Sequence, residues 1–348
     1  MALLLLLAAC TKDAGPCVPT VEVPSDGKDQ DCDGVDLVGV TDTDDTDDTD
    51  DIDPGLSPGV RVGSGLDSSF GHAVALDGAA LVVGAPFFRV DGGPAGQVSR
   101  DGVVLATGAP GDRLGSSIAA LDDGTILFGA PGAGEVRSAR GEILASGAGV
   151  GRILAARGDR WVTSSASGAL WDDGTAVTWA GPPDALLILP DGTLVGGYAR
   201  GDVAVYLGSS SSMPRPQPQD EAGYALTSWE PLGGGRTELL VGAPGSGIVY
   251  RVDPDAPAWD RPVAGAGGRF GASLAAETTA AWIGAPMDGT EAQGAVYTID
   301  TSNVSTRIAT GAAPGDQLGF SLLTGADAVL AGAPGTASGP GSVVVQAR

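Results

Sequence analysis

The chain has 348 residues, with 43 acidic against 19 basic side chains and a formal charge of -24. That balance excludes nucleic acid as a partner, which needs a basic footprint, and excludes electrostatic docking on anionic lipid. An apolar share of 43% is ample for a packed core.

The charge is uneven. Residues 11–55 hold 15 acidic residues and both lysines of the chain, whereas residues 56–348 use 17 arginines and no lysine. This break predicts a domain boundary near residue 55. Residues 1–9 read as a signal peptide: Met1 is followed by eight apolar residues before Cys10, too few for a bilayer span of about 20 residues and right for an export signal. Leu7-Ala8-Ala9-Cys10 resembles a bacterial lipobox, in which the cysteine carries lipid and becomes the new N-terminus. No Lys or Arg precedes the apolar run, a departure from that pattern; the alternative is an ordinary secretory signal with an incidental cysteine. With Thr11 rather than aspartate next, the resemblance implies an outer-membrane anchor facing periplasm or cell surface. Cys17 and Cys32 then remain, either as two free thiols or as a disulfide closing a loop of about 15 residues, worth about 3 kcal/mol in the chain-entropy model and persistent in an oxidising compartment.

Residues 10–55 read as a disordered acidic tether. Within 26–36, Asp29, Asp31, Asp33 and Asp36 alternate and are interrupted by Gly34. Such spacing can wrap several oxygens around calcium, with the glycine permitting the turn. Position 12 counted from Asp29 is Val40, not a bidentate glutamate, so the loop is no EF-hand. It resembles the short Cys-Asp-Gly segments of secreted metal-binding proteins and thrombospondin-type loops; the alternative is a solvated acidic turn. Residues 41–53 follow with eight aspartates, a run that repels itself and stays extended.

Residues 56–348 are repetitive. Gly-Ala-Pro occurs at 84–86, 129–131, 242–244, 284–286 and 332–334, each after a short apolar run. Upstream stands an apolar residue plus glycine: Phe70-Gly71, Leu114-Gly115, Ala222-Gly223, Phe270-Gly271 and Leu318-Gly319. Two further units, at Val150-Gly151 and Pro183-Asp184, fill the gap between Gly129 and Gly242. The third residue after each motif glycine, or after Asp184, is a large aliphatic: Val74, Ile118, Leu154, Leu187, Leu226, Leu274 and Leu322. A Gly-x-aliphatic mark such as Gly294-Ala-Val-Tyr297 follows most Gly-Ala-Pro sites. Each unit, about 41 residues long, thus predicts four short strands with Gly, Pro and Asp turns and no helix. That is the arithmetic of a propeller blade. The expected fold is all-β: a seven-bladed β-propeller of four-stranded blades. The last unit lacks a fourth strand at its C-terminal end, so residues 58–63 are predicted to supply it and close the ring.

These residues resemble the FG-GAP repeat, the blade of the integrin alpha-chain propeller and of many bacterial surface proteins. The resemblance implies an extracellular adhesion or ligand-binding module. Family blades often carry an Asp-x-Asp-x-Asp-Gly calcium loop, but Leu76-Asp-Gly-Ala79 and Leu121-Asp-Asp-Gly124 lack three alternating carboxylates, so no cofactor is expected in the blades. Phe70, Leu114, Phe270 and Leu318 are expected to pack between blades.

Catalytic material is sparse. His72 is the single histidine, expected to be buried or channel-lining, and residues 56–348 contain no cysteine. No Gly-x-Ser-x-Gly elbow accompanies it. The chain is therefore expected not to be an enzyme. Ligands should meet the face that carries the loops between strands two and three and between successive blades. Its largest loops start at Phe87-Phe88-Arg89, Ser209 and Met287-Asp288. Phe87, Phe88, Arg89, Arg215, Met287 and Asp288 are the candidate ligand-binding residues, an aromatic and arginine mixture suited to an interface centre. The run Ser209–Gln219, with three prolines, is expected to be polyproline II rather than strand. The function expected is a monomeric, surface-tethered module binding an extracellular or envelope protein or glycan; the alternatives are a structural envelope component or a degenerate polysaccharide hydrolase.

Overall fold

A computed structural model describes residues 59–62, 68–208, 211–231, 236–265, 267–325, 328–335 and 341–347. Among them there are strands and turns and no helix. The strands form seven four-stranded antiparallel sheets and one two-stranded ribbon. Blade 1 uses Ala73–Asp77, Ala80–Ala85, Gln97–Arg100 and Val103–Thr107, in that order from first to fourth strand. The first strands of blades 2 to 7 are Ser117–Ala120, Leu154–Arg157, Ala185–Ile188, Ala225–Trp229, Ser273–Ala276 and Ser321–Thr324. Each first strand touches that of the next blade, and blade 7 meets blade 1, so the ring is closed.

The burial pattern follows from this stacking. A second strand is covered on both faces by adjacent blades, so Glu238–Ala243 and Ala328–Ala333 are buried almost throughout. Their sequences are accordingly continuous apolar runs rather than alternations. Fourth strands lie at the rim and stay largely exposed, as in Val103–Thr107. There is no single core: seven apolar clusters each lie between two neighbouring blades. Leu114, Phe270 and Leu318 are buried in three of them, and Phe70 packs against a fourth. The seven aliphatics of the third motif position all border these clusters.

The motif glycines explain the repeat. Gly271, at φ +94°, donates its N–H to the carbonyl of Gly284 in its own blade at 3.0 Å. Its own carbonyl oxygen faces Gly242 of the preceding blade, where an added Cβ would lie 2.0 Å away. Gly84, Gly129, Gly197, Gly284 and Gly332 meet the carbonyls of Gly115, Gly151, Gly223, Gly319 and Gly71 in the same way. Hydroxyls reinforce three junctions, Ser117, Ser273 and Ser321 donating to Gly151, Gly319 and Gly71 at 3.0, 2.6 and 2.8 Å. Blade 3 has no glycine at the corresponding place. There the buried Thr163 and Ser164 hydroxyls accept from the backbone N–H groups of Gly151 and Ile153. In blade 4, Asp184 replaces the first glycine yet makes the same backbone bond, to Gly197 at 2.8 Å.

Ring closure uses the N-terminal strand. Gly59–Val62 pairs antiparallel with Ser342–Ala347, with Gly59 opposite Val345 and Val62 opposite Ser342. The observed strand sits inside the predicted 58–63. A parallel bridge from Phe70 to Gly341 adds a second link between blades 1 and 7. One expectation is corrected. Ser211–Pro214 is the fourth strand of blade 4, not polyproline II, with Met213 buried opposite Val205. A rim strand tolerates this because its outer edge needs no donor, and Pro214 sits at the strand end.

Two predictions follow from the ring. A chain starting at residue 66 loses the four residue pairs of the closing strand; at about 1 kcal/mol per hydrogen bond it should melt about 5–10 °C below a chain starting at residue 55, or aggregate through the bared edge. Equal melting temperatures would refute the closure. Gly284→Ala places a Cβ 2.0 Å from the Gly319 carbonyl, so urea unfolding should show a loss of about 1–3 kcal/mol or more.

Candidate functional site

The turn that carries each motif glycine opens at the centre of the loop face, and its flanking residues point into one basin. The residue after the glycine is His72 in blade 1, Ser116 in blade 2, Arg152 in blade 3, Tyr224 in blade 5, Ala272 in blade 6 and Phe320 in blade 7; all six line the basin, and blade 4 contributes Asp184. The residue two before the glycine adds Arg113, Arg269 and Gln317. These three have φ of 56°, 61° and 58°, and Ser69 and Glu221 at the corresponding positions have 53° and 56°. A left-handed conformation is costly for such residues, and the interblade contacts of the following glycine hold it. The rim is completed by Pro86, Pro131 and Pro286 with Phe87 and Met287 beyond them, enclosing a volume of about 820 Å³.

The basin combines aromatic surface with cations. The imidazole of His72 packs on Phe320 at 4.8 Å between ring centres and meets Phe87 edge-on at 6.4 Å. Burial pushes its pKa down from 6.5 to about 4, so the ring is neutral at physiological pH. The Arg113 guanidinium lies over Phe87 at 5.5 Å, and that of Arg269 over Tyr224 at 5.0 Å. Arg269 also pairs with Glu221 at 2.8 Å, and Arg152 with Asp184 at 3.3 Å. Asp184 is held further by the backbone N–H of Ala199 at 2.9 Å. Arg113 has no acidic partner among the described residues. The Ser116 hydroxyl donates to the Arg113 carbonyl at 2.8 Å, fixing its backbone.

The candidate residues chosen from sequence divide. Phe87 and Met287 line the basin and are exposed. Phe88 and Arg89 do not line it. They begin a hairpin in which Arg89–Val90 pairs with Gly93–Pro94 and the Arg89 guanidinium donates to the Gly92 carbonyl at 3.0 Å. Arg215 does not line the basin and its side chain is buried: it pairs with the buried Asp220 at 3.0 Å and donates to the Gly201 carbonyl at 2.8 Å and the Tyr198 carbonyl. It anchors the blade 4 to blade 5 connection rather than facing a ligand. The Asp288 carboxylate accepts from the Tyr297 hydroxyl at 2.6 Å and from Arg307 at 2.7 Å, so it is committed within blade 6. Cys10, Cys17, Cys32, Asp29, Asp31, Asp33 and Asp36 lie outside the described residues.

The arginines, Tyr224, Phe320 and Asp184 escaped sequence reading because only the third position after the motif glycine was compared across units. The first position, read in the same register, finds Arg152, Tyr224 and Phe320 directly. A second cavity, of about 830 Å³, opens at the opposite end of blades 2 to 4 around Asp122, Arg157 and Pro190. Its Arg160 is already bound by Asp172 at 2.8 Å and stacked on Trp171, so the basin is the better candidate.

No protein-family model and no curated protein matches the chain. Solved structures do. Virginiamycin B lyase from Staphylococcus aureus is similar with a TM-score of 0.62 and 10% identity, over 84% of this chain and 99% of that one. A streptogramin B lyase gives 0.58 and 12%, over 82% and 97%. The WD40 β-propeller domain of Doa1 gives 0.59 and 12%, over 83% and 97%. At such identity these similarities show the fold alone. They nonetheless correct the expectation that the chain is not an enzyme: the lyases are enzymes built on this architecture, so the propeller fold gives no ground for excluding catalysis.

The neutral His72 predicts a pH dependence. Its folded pKa of about 4 lies below the 6.5 of the free side chain, so the unfolded chain binds the extra proton and stability falls as pH drops from 6.5 toward 4. Between pH 6.5 and 5, where ordinary carboxylates stay ionised, the loss should be on the order of 1–2 kcal/mol. In urea melts His72→Phe should flatten that slope, and an unchanged slope would contradict the burial of a neutral imidazole.

Proposed function

We propose that the protein is an exported, lipid-anchored propeller of the FG-GAP kind whose loop-face basin binds an extracellular or envelope ligand. The observation that carries the reading is the convergence of side chains from all seven blades on one basin of about 820 Å³, a size typical of ligand sites. Its lining mixes exposed apolar side chains, Phe87 and Met287, with arginines stacked on aromatic rings. That mixture characterises binding-energy centres. The FG-GAP assignment is supported by the glycine pairs above, since the motif residues are those that make the interblade contact. The anchoring rests on Leu7-Ala8-Ala9-Cys10, and the acidic run 41–53 would hold the propeller away from the membrane by self-repulsion.

Two measurements test the proposal. Cys10→Ser should release the protein from the membrane fraction and abolish labelling by a palmitate analogue; a variant still bound and labelled refutes the anchor. Immobilised protein should retain a specific ligand from a glycan array or from detergent-solubilised envelope, and Phe87→Ala should cut retention at least tenfold with an unchanged melting temperature. Retention indifferent to Phe87 removes the basin as the site.

A further inference from the structure

Building on the reading of the basin as a binding site, we infer that its occupant is an acidic glycan, with the carboxylate of a uronic acid unit seated on Arg113 and the sugar ring on the aromatic wall formed by Phe87 and Phe320. Charge points to an anion. The propeller, residues 56–348, has a formal charge of -11, yet its basin presents three arginines against Asp184 on the wall and Glu221 behind it. Arg152 and Arg269 are neutralised by those two carboxylates at 3.3 and 2.8 Å. Arg113 is left with a ring beneath it and no acidic partner among the described residues. Its planar fork matches a carboxylate bidentately. Its guanidinium already stacks on the Phe87 ring, so part of its ordering cost is met before a ligand arrives.

The remaining lining selects sugar over acidic peptide. Sugar hydroxyls both donate and accept, so they can use the Asp184 carboxylate, whose side chain is one-third exposed, together with the lone pairs of the Ser116 hydroxyl. A peptide rich in carboxylates presents neither ring hydroxyls to Asp184 nor an apolar ring face to the aromatic wall. The rings of Phe87 and Phe320 flank a neutral His72, which gives an apolar floor for the C–H face of a pyranose without adding a second cation. The basin is a bowl ringed by loops from every blade and not a groove, which fits the end of a glycan chain better than an extended polypeptide passing through.

Calorimetry on the full chain in detergent micelles tests this, with trigalacturonic acid as the acidic probe, a neutral galactose trimer of equal length, and a hexaglutamate peptide. The acidic trimer should bind in the micromolar to low millimolar range, weaken at higher salt, and exceed the neutral trimer at least tenfold. Arg113→Gln should remove most of that preference. Gln is compatible with the backbone there, because Gln317 occupies the corresponding position of blade 7 at φ 58°, and an unchanged melting temperature confirms folding. Arg100→Gln, which breaks a surface pair with Asp77, should leave binding intact. Equal affinity for acidic and neutral trimers, indifference to Arg113→Gln, absence of binding at 10 millimolar probe (about 3 kcal/mol of affinity), or binding of hexaglutamate alone would each overturn the inference. If the Phe87-dependent retention survives while the acidic trimer fails, only this assignment of ligand falls, and the basin stands as a site for something else.

Discussion

The structure depends on one close approach: the carbonyl of a motif glycine lying against the bare Cα of a glycine in the preceding blade. At Gly284 and Gly319 a Cβ would stand 2.0 Å from that oxygen, a distance no side chain can occupy. The same glycine must also turn at positive φ, 86° for Gly319, to send its N–H to its own blade and its carbonyl to the preceding one. Two requirements, no Cβ and a left-handed backbone, meet in one residue type. Six repetitions set the distance between neighbouring innermost strands, and that spacing lets seven separate apolar clusters replace one central core.

The departures from the repeat are placed where chemistry replaces packing. The junction between blades 3 and 4 lacks the glycine pair and is bridged by the Arg152–Asp184 ion pair and by the Arg152 bond to the Pro183 carbonyl. Both charged residues line the basin. Trp179 stacks on Tyr206 at the same junction and bonds the Gly208 carbonyl at 3.1 Å. Side-chain contacts there do what backbone contact does elsewhere, and they bring polar groups to the basin wall as they do so.

Basin lining and scaffold are thus consecutive residues of one turn. Between Arg113 and Ser116, Leu114 is buried between blades 1 and 2, Gly115 makes the interblade contact, and the two outer residues face the basin. The rigid part of the turn is common to most units, while its flanking side chains vary from arginine to glutamine and from histidine to phenylalanine. Such an arrangement lets the chemistry of the basin lining vary without disturbing the ring. Fold similarity to lyases and to a WD40 domain is in keeping with it, since architecture and site are set by different positions of the same repeat.

The amino-acid sequence by itself determined the repeat, the count of seven blades, the four-strand unit and the N-terminal closing strand. Each of these is written in local periodicity: Gly-Ala-Pro after an apolar run, and a last unit one strand short. It also singled out Phe87 and Met287, which line the basin. Only the tertiary structure decided that Ser211–Pro214 is a strand, because rim pairing with Val203–Leu207 and burial of Met213 outweigh the local preference of prolines. Tertiary structure likewise turned Arg215 and Asp288 inward, through partners at Asp220 and Tyr297 that no spacing announces. The basin itself became visible only when the ring closed. Its residues stand about 41 positions apart along the chain and meet because seven equivalent turns share one axis, and convergence on an axis is a property of the assembled ring that no single repeat contains.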